Sequence, residues 1–321
     1  MNVLVTGGAG FIGSHLCAEL VSRGVKVSVL DDLSTGRLEN IIDLPVTIHI
    51  ASVTDVPAVE KAVAGVDAIV HLAAVASVPQ SIEEPMRTHE VNVNGTLNVL
   101  EAARAVGAHV VVASSAAVYG NQSESVNAES TPPQPLSPYA TSKLATEAYA
   151  TTWQEAFGLP TLALRFFNVF GPRQHPGDAY AAVIPAFVAA AVAGEPLKIY
   201  GDGEQTRDFI PVFTVASLLA DAVARRVTHP RPVNVAFGRR TSLLQVADLL
   251  EGIVEHPLPR EFAPVRAGDI RNSSADDTML RSLFPDLRRT GLTESLRRTV
   301  SWWRSADGRA PALLGRSADA A

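Results

Sequence analysis

The sequence predicts an α/β fold: a doubly wound parallel sheet with a smaller mixed α/β C-terminal part. Two observations carry the prediction. Apolar β-type runs recur through the first half with segments of helical periodicity between them, and the first run ends in a glycine cluster, "TGGAGFIG", that opens a helix pattern. Strands separated by helix-length segments imply right-handed crossovers with helices on both faces of the sheet.

The elements follow in order. The first strand run is Asn2 to Thr6, and the helix pattern Phe11 to Arg23 sets Ile12, Leu16, Leu20 and Val21 on one face. Further strand runs lie at Val25 to Leu30, Val46 to Ile50, Ala68 to Leu72, His109 to Ser114 and Thr161 to Phe166, with helix patterns at Val56 to Val63, Pro85 to Ala105 and Pro138 to Phe157. After about Asn168 the rhythm breaks into "GPRQHPGDAY", an Ala-rich helix pattern and a short strand run in "LKIYGDG". We therefore expect residues 1–167 to form the doubly wound domain and 168–303 a smaller domain that returns some segments to the first. The second domain is expected over the carboxyl ends of the strands, where open α/β sheets bind ligands. Residues 304–321, polar and rich in Ala and Gly, read as a flexible tail.

Composition narrows the function. A chain of 321 residues with 47% hydrophobic content can bury a large core. A net charge of -6 gives no basic surface for nucleic acid or an anionic membrane, so neither is an expected partner. The single cysteine, Cys17, excludes an internal disulfide and reads as a packed thiol, which fits a reducing cytoplasm. Met1 runs into the strand pattern without a basic leader, so no signal peptide is expected. Ala179 to Gly194 is strongly apolar but contains Pro185 and is too short to span a bilayer. The eight histidines show no metal-ligand spacing, His71 reads as a structural strand-end residue, and no metal is expected.

Gly8, Gly10 and Gly13 fit G-x-G-x-x-G where its mechanism needs it, after a strand and at a helix start, with Gly7 just before. Bare backbone there permits a tight turn, brings N–H groups to a pyrophosphate and lets the helix pack closely, which makes the fold Rossmann-type. Asp31 ends the second strand, near the ~20-residue spacing at which an acid binds the adenosine ribose. Its charge would repel a 2′-phosphate, which favours NAD over NADP, although Arg37 lies nearby.

"SPYATSKLATE" places Tyr139 and Lys143 one helical turn apart on one face. A tyrosine, with an unperturbed pKa of about 10, is a poor base at neutral pH, and an adjacent ammonium favours its phenolate. "VVVASSAAVYG" ends a strand at Ser114 and Ser115, which delivers a hydroxyl to the carboxyl edge of the sheet.

With these residues assembled, the chain resembles the extended short-chain dehydrogenase/reductases, specifically the nucleotide-sugar epimerase/dehydratase group, from Met1 to about Leu283. The resemblance is carried by "TGGAGFIGSH", "DDLSTG", "HLAA", "NVNGTLNVLEAA", "SSAAVYG", "SPYATSK", "RFFNVFGPRQ", "IYGDGEQTRDF" and "RAGDIRNSSAD". It implies NAD as cofactor, with Ser115, Tyr139 and Lys143 as the catalytic group and Tyr139 as base. By position it implies cofactor contacts from Gly7, Gly10, Phe11, Ile12, Asp31, Ser34, Thr35, Gly36, Ser52, Val53, Leu72, Ala73, Ala74 and Phe166, beside Tyr139 and Lys143. It implies UDP-sugar contacts from Ser77, Ser115, Asn168, Lys198, Tyr200, Arg207, Arg266, Asp269 and Ser273, with the two arginines clamping the diphosphate. The segments "VNVNGTLNVLEAARAV" and "SPYATSKLATEAYATTW" match the helices that pair family homodimers, so a homodimer is expected. The chain departs from the family at Ser52, where an acid facing the adenine is usual, and at Phe213 and Thr214, where an acidic pair is usual.

The resemblance also implies a shared first step, oxidation of the sugar at C4 to a 4-keto sugar. In 4,6-dehydratases an acid pair follows the catalytic hydroxyl; here Ala116 and Ala117 fill those slots, so the motif resembles 4-epimerases. Nucleotide-sugar 5,6-dehydratases of tunicamycin-type pathways share this feature and remain the alternative. Ser273 stands where epimerases confined to unacetylated hexoses place a bulky aromatic, which favours UDP-N-acetylglucosamine over UDP-glucose. A non-catalytic NAD-binding regulator of this fold would lack the tyrosine or lysine, and both are present.

Overall fold

The computed structural model describes residues 1–121, 126–174, 183–265 and 271–305. Its first half contains β1 (Asn2–Thr6), α1 (Phe11–Ser22), β2 (Lys26–Asp31), β3 (Thr47–Ile50), α2 (Val56–Val63) and β4 (Ala68–His71). Then come α3 (Val78–Glu83), α4 (Pro85–His89), α5 (Gly95–Val106), β5 (His109–Ser115), α6 (Pro138–Phe157) and β6 (Thr161–Phe166). The second half contains β7 (Asn168–Phe170), α7 (Val183–Ala193), β8 (Leu197–Tyr200), β9 (Thr206–Arg207), β10 (Phe209–Pro211), α8 (Val212–Ala224) and β11 (Val233–Val235). It ends with β12 (Thr241–Ser242), α9 (Leu243–Val254), β13 (Arg260–Ala263), β14 (Asn272–Ser273), α10 (Thr278–Leu283) and α11 (Leu292–Ser305).

Seven strands form one parallel sheet in the order β11-β6-β5-β4-β1-β2-β3. The strand order reverses between β1 and β4, the topological switch point at which such sheets bind ligands. Each central strand is buried on both faces, which explains why its sequence is a continuous apolar run rather than an alternation. Val3 and Val5 of β1 join the core beneath α1 and α8, while Leu4 joins the core beneath α2, α5 and α6. Leu162 and Leu164 of β6 make the same division with Ala163. Each fully buried side chain of this kind is worth roughly 1.5–3 kcal/mol.

Local signals fix the ends of the helices. Asp55 caps α2 by accepting the Ala58 N–H at 3.1 Å, and Ser137 caps α6 by accepting that of Ala140 at 3.1 Å, with Pro138 as its first residue. Gly158 ends α6 in the left-handed conformation, φ 69°. The predicted helix Pro85 to Ala105 differs from the structure: a π-helical turn, Glu90–Asn94, separates α4 from α5. Such a turn inserts a residue into the ladder and re-aims its side chains; here it buries Asn92, which grips the Val75 backbone through both amide groups. A second difference is at the chain end, where α11 continues through Ser305, two residues into the stretch read as tail.

The later segments form a third core, in which Ile184, Phe187 and Val188 of α7 pack with Val246 and Leu250 of α9 and Leu296 and Val300 of α11. The short strands β12, β9 and β14 form a three-stranded sheet, and β8 pairs with β13. No helix among the described residues is long and apolar enough to cross a membrane.

Candidate active site

The carboxyl edge of the sheet gathers most of the predicted site. Register places Thr6 beside His71, and Ser115 beside Phe166. The turn after β1 is tight because it has no side chains. Its left-handed residue is Gly7, φ 69°, and a Cβ there would lie 2.8 Å from the Ala73 nitrogen. A Cβ on Gly13 would lie 2.1 Å from the Gly7 carbonyl oxygen. Gly10 caps α1, so Phe11 and Ile12 begin the helix with N–H groups that have no intrahelical acceptor.

The predicted adenosine side centres on Asp31, which is buried. Its carboxylate accepts the N–H groups of Ala9 and Leu33, both at 2.9 Å, and Gly36 packs against it. Burial pushes its pKa up, and those two backbone bonds act against the rise. Ser34 and Thr35 are exposed on the loop that follows, and the Ser34 N–H is taken by Asp32 at 3.0 Å. Ser52, the departure from an acid, bonds Thr54 at 2.8 Å; Val53 is buried against Gly95, and its carbonyl accepts from Asn98 at 3.0 Å. On the opposite side of the turn, Leu72 and Ala73 donate their N–H groups to the Thr6 hydroxyl, each at 3.2 Å, and Ala74 follows on the same half-buried segment. A glycine cradle, open helix amides and a buried ribose-side carboxylate together fit a dinucleotide.

The predicted catalytic group comes from β5 and α6. Ser115 ends β5 and Tyr139 is the second residue of α6, close enough for the serine side chain to act on the phenol. Burial pushes the Tyr139 phenol up, and the Ser115 side chain works in the opposite direction. One turn along, the Lys143 ammonium donates to the Ala113 carbonyl at 2.8 Å; burial lowers its pKa from 10.5 to about 8, opposed by Glu147. Phe166 ends β6 half-buried beside them. His71 is neutral, held at about 3 by burial and by the Lys143 charge. Its Nδ1 meets the Thr6 hydroxyl at 2.8 Å and its Nε2 the Thr96 hydroxyl at 3.0 Å. Because Thr6 already accepts two N–H groups and Thr96 donates to the Asn92 carbonyl at 2.6 Å, the bonding pattern assigns the proton to Nε2. His71 is thus structural, as its sequence position suggested. Cys17 is likewise a packed thiol, pushed up to about 12 chiefly by burial.

The predicted substrate residues divide. Ser77 caps α3, accepting the Gln80 N–H at 3.3 Å. Asn168 donates to the Asp208 carbonyl at 3.2 Å. Arg207 and Ser273 are register partners across β9 and β14, so the structure joins two residues 66 positions apart. Arg207 also donates to the Thr206 carbonyl at 2.9 Å. Lys198 and Tyr200 share β8, with the ammonium 5.5 Å from the ring centroid, beside a cleft walled by Gly201, Phe262, Val265 and Arg271. Arg266 and Asp269 lie outside the described residues.

Sequence reasoning missed Asp208, Glu147 and Arg165. Asp208 is buried, and its Oδ2 accepts the N–H groups of Phe237 at 2.7 Å and Gly238 at 2.8 Å, which anchors the loop after β11 directly beside Arg207. Burial raises its pKa to about 6 against those bonds, with Asp277 adding to the rise. Glu147 had a legible signal, its spacing of four from Lys143; Arg165 in an apolar strand had none.

Comparison with known proteins identifies the family. The profile of the NAD dependent epimerase/dehydratase family matches residues 3–236. A UDP-glucose 4-epimerase of Mycolicibacterium smegmatis is 36% identical over 319 residues, covering 95% of this chain and 99% of that protein. The structure of a UDP-N-acetylglucosamine 4-epimerase from Methanobrevibacter ruminantium, in complex with UDP-N-acetylmuramic acid, superposes with a TM-score of 0.89 at 38% identity, covering 95% and 98% of the two chains. That of the Thermus thermophilus UDP-glucose 4-epimerase complex with NAD gives 0.86 at 36% identity, covering 95% and 100%. With the glycine cradle, Asp31 and the Ser115–Tyr139 pair in place, the chain belongs to the NAD dependent epimerase/dehydratase family, as an enzyme that works with NAD.

Proposed function

We propose that the protein is a UDP-sugar 4-epimerase acting on UDP-N-acetylglucosamine through a transient 4-keto sugar. The observation that carries this reading is the gathering of Ser115 at the end of β5 with Tyr139 and buried Lys143 of α6 at the strand edge beside the switch point. When bound, NAD supplies the acceptor and donor of hydride at C4. Tyr139 takes the proton of the sugar 4-hydroxyl and returns it, Ser115 holds that hydroxyl against the phenol, and Lys143 favours the phenolate by its charge. Gly7, Gly10, Phe11, Ile12 and Asp31 hold the cofactor, with the loops at Ser34 and Leu72 on either side. Arg207, Asn168 and Ser273 hold the sugar nucleotide from the other side, with Lys198 and Tyr200 at the uridine. Ala116 and Ala117 follow Ser115 in a short 3-10 turn and bring no carboxylate for loss of the 6-hydroxyl as in 4,6-dehydratases.

The same reading includes a division near residue 167 and a homodimer paired through α5 and α6, whose exposed Val106 and Phe157 support it. The test is incubation of purified protein with UDP-N-acetylglucosamine, without added NAD, followed by mass and proton NMR of the product. Unchanged mass with inverted C4 configuration is expected. Loss of water with new vinyl protons would replace the reading with a 5,6-dehydratase, and no change in the sugar would overturn both.

A further inference from the structure

Glu147 lies one turn beyond Lys143 on α6 and is 3% exposed. Its Oε1 accepts from the Ser114 hydroxyl at 2.5 Å and from Arg165 Nε at 2.8 Å, and its Oε2 accepts from Arg165 Nη2 at 2.8 Å. The arginine also donates to the Tyr119 hydroxyl at 2.8 Å and lies 4.7 Å from that ring's centroid; the Tyr119 hydroxyl in turn donates to Asn234 of β11 at 2.7 Å. Ser114 and Arg165 are register partners, and the next pair in register is Ser115 and Phe166. One buried carboxylate therefore ties together α6, β5 and β6, the three elements that carry Tyr139, Lys143, Ser115 and Phe166.

Stability alone gives no reason for this arrangement. Replacing a buried ion pair by apolar side chains of similar volume is often neutral or stabilising, because desolvation offsets the attraction. The charge has a use at Lys143, where burial lowers the pKa to about 8 and Glu147 opposes the fall. Lys143 lies one helical turn from both Tyr139 and Glu147 on α6, donates to the Ala113 carbonyl of β5 and acts by its charge on neutral His71 of β4, with Arg165 of β6 beyond Glu147. Among these described neighbours Glu147 is the anion. We propose that Glu147 is the positioning residue of the catalytic group: clamped by Arg165 and Ser114 one turn beyond Lys143, its carboxylate is the counter-charge of the Lys143 ammonium and holds the end of β5 in register with Tyr139. This rests on the roles given above to Tyr139 and Lys143.

The sequence offers a direct readout, because it contains four lysines: Lys26, Lys61, Lys143 and Lys198. Lysine 13Cε NMR, assigned with Lys143→Arg, follows the Lys143 titration without any sugar substrate. The informative variant is Glu147→Gln with Arg165→Met, which removes both charges and leaves an acceptor for Ser114. We expect it to keep its Tm within about 5 °C of the parent while the Lys143 midpoint falls by roughly one pH unit or more. An unchanged midpoint in the folded double variant would reduce Glu147 to a structural residue and overturn the proposal. Should that variant not fold, Glu147→Gln with Arg165→Gln, which retains a hydrogen bond between α6 and β6, carries the same two outcomes. Turnover of UDP-sugars is scored separately, so a chain with the expected titration and no turnover would sink the proposed function and leave this inference standing.

Discussion

The Cβ position of Gly13 lies 2.1 Å from the carbonyl oxygen of Gly7, so the first turn of α1 and the turn after β1 occupy each other's space. Gly13→Ala must push backbone apart at the cofactor cradle, with an expected cost of about 1–3 kcal/mol and loss of copurifying NAD. Gly252 provides the contrast, since it sits in α9 with nothing within 4 Å of its Cβ position. Gly252→Ala is expected to stabilise by roughly 0.5–1 kcal/mol. Thermal melts and cofactor extraction on the two variants check both directions.

Removal of the Tyr139 hydroxyl takes away the proposed base while leaving the ring to fill its space. Tyr139→Phe should lower kcat by about 10²–10⁴ with Tm unchanged. Steady-state epimerisation assays measure it, and near-parent activity would remove Tyr139 from the mechanism.

Lys143 places function against stability. Its folded value of about 8 lies below the ordinary 10.5, so between these pH values the unfolded chain holds a proton that the folded chain has lost. Stability should rise with pH across that window, with the full cost of the buried ammonium present below about pH 8. Lys143→Met is therefore expected to abolish turnover yet stabilise at pH 7 by on the order of 1–3 kcal/mol, an advantage that fades towards pH 10.5. Urea titrations of both chains across this range give the sign directly.

His15 gives the acid side. It bonds the Pro172 carbonyl at 2.9 Å and stacks edge-on against Phe213, over which the Arg298 guanidinium lies. Burial lowers its pKa from 6.5 to about 4, with Arg173 and Arg298 acting the same way against the carbonyl bond. As pH falls through 6.5 the unfolded chain takes up the proton first, so stability should fall until about pH 4. His15→Gln should have a pH slope shallower by nearly one proton at about pH 5, read as the difference between two sets of denaturant titrations. Equal slopes would mean that His15 ionises normally in the fold.

Ser273 tests sugar choice. It is the register partner of Arg207, so a larger side chain there enters the space beside the proposed diphosphate clamp. Ser273→Tyr should lower the ratio of kcat/KM for UDP-N-acetylglucosamine over UDP-glucose by about tenfold or more. A ratio that does not move would take the N-acetyl group away from this residue.

The sequence by itself determined the order of the elements and the kind of chemistry. The limits of β1, α2, α6 and β6 were readable because each is set locally, by an apolar run, a capping Asp55 or Ser137, or a terminal Gly158. Gly7 to Gly13, Asp31, and the Tyr139–Lys143 spacing were readable for the same reason, since a turn or one helical repeat brings them together. Features that depend on long-range pairing were settled by packing across distant segments. The tertiary structure set the segment after β4 directly behind Gly7, where a Cβ would meet the Ala73 backbone. It broke the helix after His89 with a π turn that turns Asn92 towards Val75. It set Asp208 under the loop after β11, Arg207 beside Ser273, and the Glu147–Arg165 pair beneath the catalytic helix. Hydrophobic periodicity states which face is buried, whereas the partner of a buried charge is chosen by sheet register and packing across distant segments, which no local pattern records.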